Sequence, residues 1–290
     1  MNRLIQKYTA LLLVLSIFAQ PTHAAKVKVV ASFSVLGDIV QNVGGDAIEL
    51  TTLVGPDADA HEFHANPGHA RAVSKASIIF VNGRGFDTWA VRLLKSSGST
   101  ARLVSVSDQI KARPRDPHTW QNVANAIIYV ENIRRALEAV APHDKAIFQA
   151  NAASYKAELT MLNHEIRLLI EATPRAKRKV ITTHDAFGFF AEAYGVEFIA
   201  PLGLSTHSQA SAKTVARLIN QIKREKISAL FFENIADNRL MTQIGKETRA
   251  VIGGRLYSDA LSGTEGPAPD YISMMRLNAR HLTGAMSKGS

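Results

Sequence analysis

The sequence predicts an α/β protein of two (β/α)4-type lobes with mostly parallel sheets, joined by one long rigid helix. Three observations support this prediction. Short apolar runs alternate with longer helical patterns, the runs fall into two sets of four, and a stretch without glycine or proline separates the sets. Such alternation is typical of βα units. With 290 residues, 46% of them hydrophobic, the chain is long enough for two ordinary domains, and its composition excludes a disordered protein.

The eight apolar runs are the predicted strands, and the helical patterns between them supply the crossovers. The first set comprises Val27–Ala31, Ile48–Val54, Ala76–Val81 and Arg102–Val106. The second set comprises Lys179–Thr182, Val196–Pro201, Ala229–Phe232 and Arg255–Tyr257. The two halves have a similar layout of strand, helical pattern, glycine and second strand, which suggests an internal duplication.

A single amphipathic helix is predicted over His143–Thr173, between Pro142 and Pro174. Apolar residues recur there at steps of four, three, four and three, at Tyr155, Leu159, Leu162, Ile166 and Leu169. A helix of about 30 residues is about 45 Å long, so it can run the height of two stacked domains. We therefore expect a first lobe over residues 25–142, a linker helix over 143–173 and a second lobe over 174–290.

Residues 1–24 have the three-part pattern of a secretory signal peptide. Arg3 and Lys7 precede the apolar stretch Tyr8–Ala19, and Thr22-His23-Ala24 forms a small-residue cleavage site after Pro21. The alternative is an uncleaved anchor, but the apolar stretch is short for a membrane span. We expect an exported, periplasmic protein that does not span the membrane after cleavage.

Charge and cysteine content narrow the function classes further. The formal net charge is +9, from 34 Lys and Arg against 25 Asp and Glu, but the basic residues are mostly scattered. Without a continuous basic stripe we expect no nucleic-acid partner. The chain has no cysteine, which excludes disulfides, zinc–thiolate sites, iron–sulfur clusters and a lipid on an N-terminal cysteine. Any metal must be held by imidazole and oxygen ligands.

Four polar residues follow predicted strands at the carboxyl ends, where open α/β sheets collect functional groups. They are His61, His118, His184 and Asp259. Two come from each half, so they converge if the two sheet edges face each other across a cleft. Three imidazoles and one carboxylate would complete a tetrahedral site for a divalent cation. A loop histidine is more often simply solvated, so spacing alone leaves both interpretations open.

Three further residues are candidates around this cleft. Glu233 directly follows the predicted strand Ala229–Phe232, and we expect its carboxylate to contact and orient the metal ligands without binding the metal itself. Asn82 is expected to line the cleft after the third strand. His207 follows Gly203 much as His61 follows Gly55, so it is the best candidate for a substitute ligand.

Four ordered motifs resemble the zinc/manganese solute-binding proteins of ABC importers, known as the cluster A-I or ZnuA/TroA-like family. They are Gly55-Pro56-x-Ala58-Asp59-x-His61-Glu62-Phe63, Asp116-Pro117-His118-x-Trp120, Thr183-His184-Asp185-Ala186-Phe187-Gly188-Phe189-Phe190 and Tyr257-Ser258-Asp259-Ala260-Leu261. The resemblance implies two lobes joined by a backbone helix, with one Zn²⁺ or Mn²⁺ held between them by His61, His118, His184 and Asp259. It also implies a monomer that delivers the ion to an ABC permease and catalyses no reaction.

The choice of metal rests on departures from the family pattern. Many zinc-dedicated members have a histidine-rich loop before the Asp-Pro-His motif. Here Ser96–Arg115 contains no histidine, so that loop is missing, which argues mildly against zinc. Manganese members often have Glu at the position of His184. Three imidazoles and a carboxylate favour zinc by ligand softness, with manganese a close second.

Two other function classes are considered. A secreted zinc-dependent hydrolase would normally keep three protein ligands and an open position for water, whereas four ligands close the shell. The pair His61 and His64 also lacks the four-residue spacing of the zinc-protease motif. A surface adhesin would need a retained anchor, for which the sequence gives no sign.

Overall fold

The computed structural model describes residues 25–111, 113–206, 210–227, 229–248 and 250–288. The predicted signal peptide and His207 lie outside these residues. Among them, no helix combines the length and apolar character needed to cross a bilayer.

Each lobe is built on one four-stranded parallel sheet, and both sheets have the same topology. In the first lobe the strands are β1 (Val27–Phe33), β2 (Ile48–Val54), β3 (Ile78–Val81) and β4 (Arg102–Ser105), in the order β2-β1-β3-β4. In the second they are β5 (Lys179–Ile181), β6 (Glu197–Ile199), β7 (Ala229–Glu233) and β8 (Val251–Leu256), in the order β6-β5-β7-β8. Every described strand pair is parallel. The predicted fold class is confirmed.

The last strand differs most from its prediction. β8 begins at Val251, four residues before the predicted start at Arg255. Its apolar residues Val251 and Ile252 are about half exposed on an edge strand, and two glycines interrupt the apolar run. Gly254 has φ +119, a conformation that side-chain-bearing residues rarely adopt, next to the register shift between β7 and β8. An edge strand with this composition gives a weak hydrophobic signal.

Nine helices are described around the sheets. They are α1 (Ser34–Gly44), α2 (Pro67–Lys75), α3 (Thr88–Ser96), α4 (Val123–Val140), α5 (Lys145–Glu171), α6 (Gly188–Tyr194), α7 (Ala212–Glu225), α8 (Arg239–Thr248) and α9 (Tyr271–Lys288). The helix α5 has 27 residues, and it packs against α1 and α4 of the first lobe and against α6 and α9 of the second. At 1.5 Å per residue it is about 40 Å long, so it spans both lobes.

The ends of α5 lie two residues inside the predicted bounds. Pro142–Asp144 forms a separate 3-10 turn, and the α-helix starts after it, at Lys145. At the other end, the Arg178 guanidinium donates to the carbonyls of Glu171 and Thr173, at 3.2 and 2.7 Å, which satisfies acceptors that the helix leaves free. The predicted apolar stripe is buried at Tyr155, Leu159, Leu162 and Ile166 and half-buried at Leu169.

The hydrophobic core is continuous from the first lobe through α5 into the second. It includes Phe33, Trp120, Leu159, Phe187 and Tyr271. A smaller cluster, which includes Leu218, Ile222 and Met241, lies between β5, β7 and the outer helices α7 and α8. The two lobes therefore share one core, while α7 and α8 rest on a separate one.

Candidate metal centre

The four predicted ligands lie together between the lobes, at the carboxyl ends of the strands. His61 follows β2, His118 follows β4, His184 follows β5 and Asp259 follows β8. One ligand atom from each lies within 4.8 Å of all the others. This convergence arises because the two parallel sheets turn their carboxyl edges toward each other, as the placement of the four residues requires.

Asp259 lies at the middle of the group. Its Oδ2 is 3.0 Å from His61 Nε2 and 3.2 Å from His184 Nε2, and its Oδ1 is 3.7 Å from His118 Nε2. The side chains of His118, His184 and Asp259 are fully buried, and 7% of the His61 side chain is exposed. The group is thus enclosed, with His61 as its most accessible member.

Several of these buried polar atoms have no hydrogen-bond partner among the residues that the structure describes. They are His118 Nε2, His184 Nε2 and Asp259 Oδ1. An unsatisfied buried polar atom costs about 1–3 kcal/mol, so three of them around one point need an explanation. A tetrahedral ion with bonds of about 2.0–2.1 Å holds its ligand atoms about 3.3 Å from each other. The three distances from Asp259 oxygens to the imidazole Nε2 atoms, 3.0, 3.2 and 3.7 Å, lie close to this value.

A carboxylate orients each of the two fully buried histidines. Asp116 Oδ1 lies 2.9 Å from His118 Nδ1 and accepts the backbone N–H of the same residue at 3.0 Å. Glu233 lies 2.5 Å from His184 Nδ1 and accepts the backbone N–H groups of Thr183 and His184 at 2.8 and 2.9 Å. A carboxylate at Nδ1 keeps the proton on that nitrogen and leaves the Nε2 lone pair for a metal.

His61 is held differently. Its backbone N–H donates to Asp59 Oδ1 at 2.8 Å, and Asp59 Oδ2 accepts the hydroxyl of Thr206 from the second lobe at 2.5 Å. The His61 ring packs edge-on against Phe86, with 4.9 Å between the ring centroids. Asp59 therefore links the His61 loop to the opposite lobe.

The charges of the group shift the ionisation of its members. Burial alone would raise the pKa of Asp259, but the neighbouring His118 and His184 outweigh it and hold that pKa well below its usual range. Burial alone would lower the pKa of His184, but the negative charges of Glu233 and Asp259 raise it well above the ordinary value. The negative charges of Glu233 and Asp259 therefore favour a positive charge at the centre of the site.

Asn82 lies one step further from the ligand atoms than Glu233. It is buried at the end of β3, donates to the Pro117 carbonyl at 2.9 Å and accepts a hydrogen bond from the Tyr129 hydroxyl. Within the described ranges, Asn82 therefore supports the segment that carries His118 and makes no hydrogen bond to a histidine ring.

The Asp259 loop is anchored to the first lobe, although it follows a strand of the second. Trp120 Nε1 and Gln121 Nε2 both donate to the Ser258 carbonyl, at 2.8 and 2.6 Å. The backbone N–H of Leu261 donates to Ser34 Oγ at 3.0 Å. The Asp259 loop is therefore attached to the second lobe through β8 and to the first lobe through these hydrogen bonds. A movement of the second sheet alone would not carry Asp259 with it unless these hydrogen bonds broke.

The orienting residues Asp59 and Asp116 are not among the site residues predicted from the sequence. Both stand two positions before a predicted ligand, in Asp59-Ala60-His61 and Asp116-Pro117-His118. That shared spacing is the signal that could have identified them, because an Asp side chain readily accepts the backbone N–H two residues on. The anchoring by Trp120 and Gln121 has no comparable sequence signal.

Comparison with known proteins agrees with this architecture. A family model described as zinc-uptake complex component A, periplasmic (ZnuA), matches residues 29–285. The manganese-binding lipoprotein MntA of Halalkalibacterium halodurans is 32% identical over 268 residues, which cover 90% of this chain and 89% of that protein. The iron-binding protein YfeA of Yersinia pestis is 30% identical, with coverage of 88% and 84%.

Solved structures give the same result. The periplasmic zinc binding protein TroA of Treponema pallidum superposes with a TM-score of 0.85 at 27% identity, covering 90% of this chain and 99% of that one. A Mn-bound periplasmic metal binding protein from Candidatus Liberibacter asiaticus gives a TM-score of 0.81 at 29% identity, with the same coverage. The resemblance inferred from the four motifs is confirmed, and the chain belongs to the ZnuA family, whose model matches residues 29–285.

Proposed function

We propose that this protein is a periplasmic receptor that binds one divalent transition-metal ion and delivers it to an ABC permease. The observation that carries the proposal is the convergence of three imidazoles and one carboxylate from both lobes, within 4.8 Å of one another. In this proposal His61, His118, His184 and Asp259 are the ligands, and Glu233, Asp116 and Asp59 orient them. The names of the relatives, which refer to manganese, iron and zinc, support the same class of cargo.

We further propose that zinc binds more tightly than manganese. Imidazole suits zinc, and zinc stands above manganese in the general affinity order of divalent first-row metals. A relative named for manganese and another named for iron also fit the proposal, because supply as well as affinity decides which ion such a site carries.

The same site argues against hydrolysis. Four protein ligands fill a tetrahedral shell, whereas a catalytic zinc keeps one position for water. Binding and release of the ion, without bond chemistry, is therefore the mechanism we propose. We also propose that the protein is exported through a signal peptide over residues 1–24 and acts as a monomer. Its two lobes comprise residues 25–142 and 174–290.

Calorimetric titration of the mature protein with zinc tests the ligand set. His61→Ala, His118→Ala and His184→Ala should each weaken zinc binding by more than tenfold, because each leaves the shell one imidazole short. His164→Ala, on the exposed face of α5, is the matched control and should leave the affinity unchanged. Normal zinc binding by His118→Ala would show that the ion is held elsewhere.

A further inference from the structure

A basic cavity opens beside the candidate metal centre. It has a volume of about 350 Å³, and its wall includes His61, Phe86 and three arginines, Arg84, Arg92 and Arg115. We name it the arginine cavity after these three residues. Its volume is at the lower end of small-ligand pockets. It reaches His61, which is also the least buried of the four proposed ligands.

The three arginines form no ion pair with a carboxylate among the described residues. Arg92 donates to the Thr88 hydroxyl at 3.3 Å. Arg84 donates to the Ile110 carbonyl, while its buried Nε has no hydrogen-bond partner in the described part of the chain. Arg113 differs from its neighbour Arg115, because it pairs with Asp116 at 3.3 Å and with Glu192 at 3.4 Å. The cavity therefore holds guanidinium groups whose charge no described carboxylate neutralises.

The backbone around the cavity is held in an unfavourable conformation. Arg84 and Arg115 have φ values of 54° and 63°, in the left-handed region that side-chain-bearing residues rarely adopt. Residues held in this region are strained, and they cluster at ligand-binding sites. Both arginines thus reach the cavity wall from strained positions.

A bare divalent cation is repelled by a cavity of this charge, whereas an anion is attracted. Guanidinium groups bind carboxylate and phosphate oxygens with paired, charge-assisted hydrogen bonds. We propose that the arginine cavity binds a small carboxylate or phosphate anion next to His61. The role we assign to it, which rests on the proposed function, is to capture the metal ion as an anionic complex.

Titration of the metal-free protein with citrate, and separately with inorganic phosphate, tests the anion site. Trp89 also lines the cavity, so its fluorescence provides a second readout beside calorimetry. The triple variant Arg84→Gln, Arg92→Gln, Arg115→Gln should bind the better of the two anions at least tenfold more weakly. Arg102→Gln, an exposed arginine outside the cavity, is the matched control and should change the affinity less than twofold.

Two results would overturn the anion site: no binding of either anion by the wild type, or equal binding by the wild type and the triple variant. Thermal unfolding checks that the triple variant is folded. If it is not, Arg92→Gln alone, on an exposed position of α3, should still weaken binding at least threefold. An unchanged affinity in this single variant would also contradict the proposal.

The role in metal capture is tested by loading rates at equal free zinc. We expect the wild type to load faster from zinc citrate than from a cationic zinc–polyamine complex, and the triple variant to lose that advantage. An advantage retained by the triple variant would overturn the role. A wild type that binds citrate but not zinc would refute the proposed function alone, whereas one that binds zinc but neither anion would refute the anion site alone.

Discussion

Among single residues, the candidate metal centre depends on two carboxylates that are not themselves proposed metal ligands. Asp116 and Glu233 each contact both the ring Nδ1 and the backbone N–H of the histidine they hold. One side chain thus fixes the position of the main chain and the orientation of the ring together. His118 and His184, from different lobes, are held by the same pair of contacts. This indicates that both positions require a fixed direction of the Nε2 lone pair.

Glu233→Gln tests this orienting role. The variant keeps an oxygen for the backbone N–H groups of Thr183 and His184 but loses the charge beside the ring. We expect zinc affinity to fall about 10–100-fold, as is typical when a group that orients a metal ligand is changed. Competition with a zinc chelator of known affinity measures the zinc affinity of the variant and of the wild type.

Glu247→Gln, an exposed carboxylate on α8, is the control and should bind zinc normally. The folded state of both variants is checked by thermal unfolding. Zinc affinity of Glu233→Gln equal to that of the wild type would mean that His184 needs no carboxylate to present its Nε2.

At the scale of elements, three helices from both lobes meet at one carboxylate. Asp38 on α1 accepts the backbone N–H of Tyr271 at the start of α9, at 3.0 Å, and the hydroxyl of Tyr155 on α5, at 3.4 Å. Burial raises the pKa of Asp38 to about 6, although the Tyr271 N–H opposes the shift. Packing of these helices therefore favours the protonated carboxyl.

This shift predicts a pH dependence of stability with a definite sign. The pKa of Asp38 in the folded protein lies above the ordinary aspartate value of 3.8, so the folded protein holds this proton more tightly than the unfolded chain does. The contribution of Asp38 to stability is then complete below about pH 4 and is lost as pH rises through about 6. Asp38→Asn cannot ionise and should not show this loss.

The measurement is the free energy of unfolding of the wild type and of Asp38→Asn by urea at pH 4, 5, 6 and 7. Other carboxylates titrate in both proteins, so the difference between the two curves is the quantity to follow. That difference should move in favour of the variant as pH rises from 4 to 7. Parallel curves would mean that Asp38 ionises in the folded protein as it does in the unfolded chain.

At the scale of the whole molecule, one continuous core and one long helix join the lobes. The helix α5 packs on helices of both lobes, and Trp120 and Gln121 of the first lobe hold the Asp259 loop that follows β8. Large side chains such as Leu159 contribute about 1.5–3 kcal/mol each when buried, so a wide hinge rotation that exposed them is disfavoured. We expect His184, which β5 and Glu233 of the second lobe carry, to move first when the ion leaves.

Small-angle scattering of the mature protein with and without zinc tests this view of motion. The radius of gyration should be the same in both states, because local loop movement does not change the distance between the lobes. A clear compaction on zinc binding would show that α5 or its packing acts as a hinge.

Much of the fold and the site could be predicted because the signals are local. Buried strands give uninterrupted apolar runs, the stripe on α5 repeats with the helical period, and the carboxyl ends of parallel strands mark where His61, His118 and His184 lie. The rest depends on contacts between distant segments. The start of β8 at an exposed edge and the anchoring of Ser258 by Trp120 leave no periodic pattern in the chain.

Anomalous diffraction at the zinc absorption edge, from crystals of the mature protein loaded with one equivalent of zinc, would locate the bound ion directly. We expect one strong peak per molecule, within about 2.0–2.2 Å of His61 Nε2, His118 Nε2, His184 Nε2 and an oxygen of Asp259. A peak elsewhere on the molecule, or a peak here that lacks contact with two or more of these residues, would contradict this expectation.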